Sequence, residues 1–316
     1  MPELVALGEA LVEVMRTGLD QGLDSPGPFV GPYPSGAPAI FADAAARLGA
    51  RSGFAGTVGD DAFGDCITHR LRLDGVDCGA LRRDPARVTG IAFVSYRSDG
   101  SRRFLFHLAD SAAAHVTLDQ IPPGWLDDVR YVHITGSSLS AGTDMREICY
   151  AVARYVAGRG GTVSLDPNLR PELIAPDRIR AVCEPVLACA RIVFPSGAEL
   201  LTLTGEESAE AGVTQLLQRG IEIVALKQGD QGSTIYTRAG SQLVAPYTVT
   251  EVDPTGAGDC YDAAFVVGLA EGWDLARVGR FANAAGALAT TRQGPMEGAH
   301  TRAEVLQFMQ EAGHPL

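Results

Sequence analysis

Asp253-Pro254-Thr255-Gly256-Ala257-Gly258-Asp259-Cys260-Tyr261-Asp262-Ala263-Ala264-Phe265 is a small, glycine-rich turn that runs straight into a helical segment. The first N–H groups of a helix lack internal acceptors and lie at the positive end of its dipole. Gly256, Ala257 and Gly258 keep side chains clear, so phosphate oxygens can approach those N–H groups. Asp259 falls in the first helical turn, where its carboxylate can face the same pocket and take a proton from a hydroxyl. An anion cradle, a base and fixed positions are the parts phosphoryl transfer needs. Gly-x-Gly-Asp alone is a common string, and an acidic residue in a first turn can serve only the dipole. No GK[ST] follows, so the turn is not a Walker A loop.

Upstream, short apolar runs alternate with stretches of helical apolar spacing. Leu4–Leu7, Val163–Leu165, Ile192–Phe194 and Ile223–Leu226 read as strands. Ala39–Leu48, Asp144–Val156 and Arg178–Ala188 read as helices, as do Ala257–Ala270, Leu275–Thr290 and Arg302–Glu311 towards the C-terminus. Such alternation predicts a mostly parallel sheet covered by helices on both faces. One region departs from it. Ile91–Tyr96 and Arg103–His107 are strand-like and flank Ser98-Asp99-Gly100-Ser101, a hairpin signal. With strands added from about 11–33, the segment 88–110 predicts a small lid within one domain spanning 1–316.

The chain has 316 residues and carries 26 basic against 38 acidic residues, a formal charge of −12. That balance argues against nucleic acid and anionic membrane as partners. No apolar run is long enough to span a bilayer, and the start reads as a first strand rather than a signal peptide. The six cysteines form no CxxC pair and no zinc spacing, which suits reduced thiols and a cytoplasmic location.

The full string 253–265 closely resembles the C-terminal signature of the PfkB (ribokinase-like) carbohydrate kinases. Other stretches match the family in order. They are Ser35-Gly36-Ala37-Pro38-Ala39 with Ala45-Ala46-Arg47-Leu48-Gly49, then Gly53–Gly64, Pro195-Ser196-Gly197-Ala198-Glu199 and Lys227-Gln228-Gly229-Asp230-Gln231-Gly232. The resemblance implies a three-layer α/β/α sandwich with a β-sheet lid, and an ATP-dependent kinase acting on a hydroxyl of a small sugar or sugar acid. It implies Asp259 as general base and the amides of Gly256, Ala257 and Gly258 as anion hole. Lys227, Gly229, Gly232, Asn283 and Ser196 fall at the nucleotide site. Glu199 falls where the family supports Mg2+ through water, and Asp253 where the ribokinase branch holds a monovalent cation, so K+ is a further candidate ion. Lid sheets in the family often pair between subunits, which makes a homodimer through Phe104 or Phe106 the expected assembly.

On the acceptor side the resemblance points to Glu9, Gly36, Ala37, His107, Arg170 and Asp259. Ser164-Leu165-Asp166-Pro167-Asn168-Leu169-Arg170 looks most like the 2-keto-3-deoxygluconate kinase branch, where the arginine of D-x-N-x-R meets the acceptor. An arginine fork suits a planar carboxylate. The chain departs from the pattern at Ile40 and Ser196, which replace asparagines, at His107, which replaces a lid arginine, and at Pro295, which replaces an acidic contact. The last two point to a different acceptor, a neutral ketose or another keto-sugar acid. A nucleoside kinase and a non-catalytic sugar- or nucleotide-binding regulator are the competing readings.

Overall fold

A computed structural model describes residues 1–314. In chain order its strands are β1 (Leu4–Leu7), β2 (Leu11–Arg16), β3 (Phe29–Ser35), β4 (Ser52–Gly59), β5 (Asp77–Asp84), β6 (Gly90–Tyr96) and β7 (Arg102–His107). They continue as β8 (Tyr131–Thr135), β9 (Thr162–Asp166), β10 (Ala190–Val193), β11 (Ile223–Lys227), β12 (Ser233–Thr237) and β13 (Gly240–Val244). The large sheet has the order β13-β12-β11-β10-β9-β8-β1-β4-β5. Its strands from β11 through β5 are parallel, and β12 and β13 add an antiparallel edge. Alternating side chains bury both faces. In β1, Leu4 and Ala6 join one core while Val5 and Leu7 join the other. The first core lies under the helices Ala37–Arg47, Ala257–Ala270 and Leu275–Ala289. The second lies under Thr143–Gly158, Pro176–Leu187 and Ala209–Gln218.

Strand order reverses between β1 and β8, because the chain builds outwards through β4 and β5 and then returns to the other side of β1. Crevices at such reversals, at the carboxyl ends of the strands, are where open α/β sheets bind ligands. Glu9 follows β1 directly and Ser137 follows β8, so both lie at that crevice. The small sheet, β3-β2-β6-β7, stands apart from the large one. It is mixed rather than purely antiparallel, since β2 pairs with β6 in parallel. The expected hairpin forms its β6–β7 pair, with Tyr96 opposite Arg102 and Ile91 opposite His107.

Phe194 closes the space between the large sheet and the helix that carries Asp259. It is fully buried and packs on Phe265 at 5.3 Å, His133 at 6.1 Å and Tyr261 at 6.4 Å. Truncating a buried phenylalanine typically costs ~3–5 kcal/mol through lost burial and the cavity left behind. Phe194→Ala is therefore expected to lower the unfolding free energy by about that amount in urea titration; a change below about 1 kcal/mol would mean the layer repacks freely.

Candidate active site

The site is built on the turn before the helix Ala257–Ala270. Gly256 caps that helix in the left-handed region, at φ 82°, and no side chain caps it. A Cβ here would lie 2.4 Å from the Pro295 carbonyl oxygen, so the turn fits against its neighbour only with glycine. That neighbouring loop is itself pinned: Arg70 Nη2 donates to the Met296 carbonyl at 2.6 Å, and Gly294 N donates to Asp253 at 3.0 Å. Among the described residues, the N–H groups of Gly256, Gly258 and Asp259 have no protein acceptor. The Ala257 amide turns back to the Pro254 carbonyl at 3.4 Å. The cradle is thus displaced by one from the expected set: the Asp259 amide is free and that of Ala257 is drawn inwards.

Asp259 is buried, and its Oδ1 has no partner. Burial pushes its carboxyl up to about 8, Asp166 adds to the rise, and Lys227 and Arg170 oppose it. A carboxyl that is desolvated, unpaired and aimed into a cleft is suited to accepting a proton near neutrality.

Two clefts meet at this turn and share Lys227, Pro254 and Gly258. The first is roofed by the small sheet. It is lined by Glu9, Gly36, Ala37, Arg170 and Asp259, by Ile40, and by Ser196 and Glu199, of which Ser196 was expected on the nucleotide side. Glu9 is held by hydroxyl donors from Ser137 and Ser138, each at 2.7 Å. Burial raises its pKa against those hydrogen bonds. Arg170 forms no ion pair among the described residues. Its guanidinium donates to the Leu169 carbonyl at 3.0 Å and lies 5.9 Å from the centre of the Phe104 ring. Glu199 accepts from the backbone of Ser196 at 2.8 Å and of Leu169 at 3.1 Å. Each of its oxygens keeps further acceptor capacity, which suits a water-bridged cation.

The second cleft is lined by Gly229, Gly232, Tyr247, Val249, Asn283, Gly286 and Ala287. Gly229 and Gly232 both have positive φ, and a Cβ at 232 would meet the Val244 carbonyl at 2.3 Å. Its apolar walls and small residues suit a flat aromatic base, and its inner end opens on the amide cradle.

Several expectations need correction. His107 is exposed and does not line the cleft; it packs edge-on to Phe93 at 6.2 Å on the outer face of the small sheet. Strand parity is the reason: Arg102, Phe104 and Phe106 share the inner face of β7, and residue 107 has the opposite sense. Arg102 therefore brings the lid's positive charge inwards, donating to Thr255 Oγ1 at 3.0 Å. Phe104 and Phe106 line the cleft. Asn283 spends its polar atoms internally. It accepts from Ser233 at 3.0 Å and donates to the carbonyls of Val244 and Ala245 at 3.0 and 2.9 Å. It shapes the nucleotide-side wall rather than reading a base. The Lys227 ammonium is held by Asp166 at 2.8 Å and Asp262 at 3.3 Å. The Asp253 carboxylate already takes donors from Tyr96 OH and from the amides of Thr255 and Gly294, each at 3.0 Å. Among the described residues no cluster of three or more acidic, histidine or cysteine side chains could hold a metal ion.

Glu13 and Asn168 are among the cleft residues that the sequence does not single out. Glu13 is buried, hydrogen-bonded to Ser35 at 2.6 Å, and leaves Oε2 unpartnered. Burial raises it to about 7. Its signal was period-two alternation with Leu11, which also lines the cleft. Asn168, at φ 37°, presents an unpartnered Oδ1 in the same cleft.

Open helix N–H groups, an unpartnered carboxyl and two clefts that converge on them suit a small-molecule phosphotransferase. Comparison with known proteins agrees. Residues 1–302 match the model of the pfkB family carbohydrate kinases. The chain is 34% identical to fructokinase-1 of Zea mays over 98% of both chains. It is 30% identical to the 2-dehydro-3-deoxygluconokinase of Bacillus subtilis over 87% of this chain and 86% of that one. An Escherichia coli protein described as a ribokinase II, solved with ATP and Mg2+, superposes with a TM-score of 0.92 at 39% identity, covering 98% of this chain and all of that one. The chain belongs to the pfkB family of carbohydrate kinases, and its fold is the ribokinase-like one.

Three substitutions test the geometry. Gly256→Ala is expected to lower turnover by on the order of 10²–10³ through loss of the aimed amides. Arg102→Ala is expected to raise the acceptor KM by roughly 10–100-fold, and His107→Ala by no more than about twofold. Steady-state kinetics on the three variants checks this; the reverse order for 102 and 107 would contradict the assigned faces.

Proposed function

We propose that the chain transfers the terminal phosphoryl group of ATP to a hydroxyl, a primary one, of a small sugar or sugar acid, with a ketose as the first candidate. The observation that carries the reading is the unpartnered, buried carboxylate oxygen of Asp259 beside free helix N–H groups where the two clefts join. The acceptor enters under the small sheet, where Glu9, Glu13 and Asn168 offer hydrogen-bond acceptors and Arg170 a donor fork. ATP occupies the second cleft. Asp259 takes the hydroxyl proton as the acceptor oxygen bonds to the γ-phosphorus and the bond to the ADP oxygen breaks. The amides of Gly256, Gly258 and Asp259 hold the charge of the transferred group. Mg2+ would neutralise the phosphate charge, and Glu199 would reach it through water.

The similarity to a plant fructokinase over 98% of both chains supports a ketose. A sugar acid is the second reading, favoured by Arg102 and Arg170, whose guanidiniums flank Phe104 at 5.7 and 5.9 Å in the acceptor cleft. Such a pair fits a carboxylate. An ADP-release screen over ketoses, aldoses, 2-keto-3-deoxy acids and nucleosides separates these readings. Turnover of nucleosides alone, or of nothing, would remove the proposal.

The base must be ionised to act, and its pKa lies near 8, so activity is lost as pH falls through that value. The kcat/KM of the acceptor is expected to rise with pH along an acid limb centred near 8. Asp259→Asn is expected to reduce kcat by roughly 10²–10⁴ while ATP binding is retained. A variant with near-normal turnover would remove Asp259 from the role.

A further inference from the structure

Behind the cradle lies a cluster of charged groups that the transfer step does not use. Asp262 stands three residues after Asp259, one turn deeper in the same helix, and is fully buried. The groups that face it are His133 from β8, Asp166 from β9, Lys227 from β11 and Asp259 from its own helix. His133 is buried and neutral, its pKa driven down to about 3 by desolvation. Its Nδ1 pairs with Ser164 Oγ at 3.0 Å, and its Nε2 has no partner at 3.9 Å from Asp262. Among the described residues, Lys227 is therefore the only cation against two buried carboxyls, before Asp259 is counted.

The hydrogen bonds separate the two carboxyls. Asp166 accepts from Lys227 Nζ at 2.8 Å and from the Asn168 amide at 3.0 Å. Asp262 receives only a long, forked contact from the same Nζ, 3.3 Å to each oxygen. Two good donors stabilise an anion, and one distant, shared donor does not offset full burial. Ionisation of Asp262 would also leave an extra negative charge beneath a turn that must receive a polyphosphate.

We propose that Asp262 is a positioning residue that works as a neutral carboxylic acid, so that Asp166, Lys227 and Asp262 sum to zero charge behind the phosphate cradle. Burial, with the charge of neighbouring Asp166, holds the Asp262 carboxyl well above the usual range against the pull of Lys227, and Asp166 is held below it by Lys227 despite its own burial. The neutral cluster fixes Lys227, which borders both clefts, and spares Asp259 a second negative neighbour. The inference rests on the reading of Asp259 as the base.

The test compares pH profiles of acceptor kcat/KM for wild type, Asp262→Asn, Asp262→Ala and Asp166→Asn, with infrared difference spectra at pH 7. Asparagine copies the shape of a neutral carboxyl and keeps one acceptor oxygen and a donor, without the possibility of ionising. Asp262→Asn should keep the acid limb where wild type has it. Asp262→Ala should lower kcat by on the order of tenfold. Asp166→Asn removes a true charge, so it should move the limb to lower pH by about one unit. The neutral-carboxyl infrared band of wild type should lose intensity in Asp262→Asn. A limb that moves down in Asp262→Asn, or a difference spectrum without that loss, overturns the proposal. A wild-type profile with no acid limb would instead remove Asp259 as the base, and the infrared result would still decide where the proton sits.

Discussion

Free N–H groups at the start of one helix are the constraint on which the rest of the molecule depends. A helix end buried without partners is costly, and this one is kept open towards two clefts. The surrounding structure maintains that condition. Gly256 takes a left-handed turn that leaves room for Pro295, and the Pro295 loop is tied down by Arg70 and Asp253. Tyr96 and Arg102 reach from the small sheet to Asp253 and Thr255, so the roof of the acceptor cleft is bonded to the loop that holds the cradle. The small sheet and the cradle loop are thereby held in one arrangement.

Charge is the second theme. A chain with net charge −12 binds a nucleotide by local means. The positive end of a helix dipole and the two arginines of the acceptor cleft supply the local field. The carboxyls of the site are kept apart in role by their surroundings. Glu9 is held by two serine hydroxyls, Asp166 by Lys227, and Asp259 is left with an unpartnered oxygen. Environment, rather than residue type, separates structural carboxyls from the one available for proton transfer.

Much of this was legible in the sequence. Leu4–Leu7 and Ala257–Ala270 form over the residues their apolar spacing predicts, and Asp-Gly at 99–100 makes the expected hairpin. The glycine-rich turn announced the cradle because glycine there answers a backbone need. What escaped was parity and partnership. His107 looked like the replacement for a lid arginine, yet only the register of β7 against β6 shows that Arg102 faces inwards. Glu13 lies on a strand whose face cannot be fixed until the small sheet is paired with β6. Asn283 and Lys227 sat at nucleotide positions, and their hydrogen bonds to Ser233, Asp166 and Asp262 join residues 35 to 61 apart in the chain. Spacing along a sequence carries no record of such contacts.

The most direct measurement is a crystal structure with Mg2+ and a non-hydrolysable ATP analogue. The account predicts the γ-phosphate oxygens about 3 Å from the amides of Gly256, Gly258 and Asp259, with the purine between Tyr247 and Ala287 and the Asp259 carboxylate facing the open side of the phosphorus. A triphosphate lying elsewhere, with those amides bound to solvent or to protein, would contradict it.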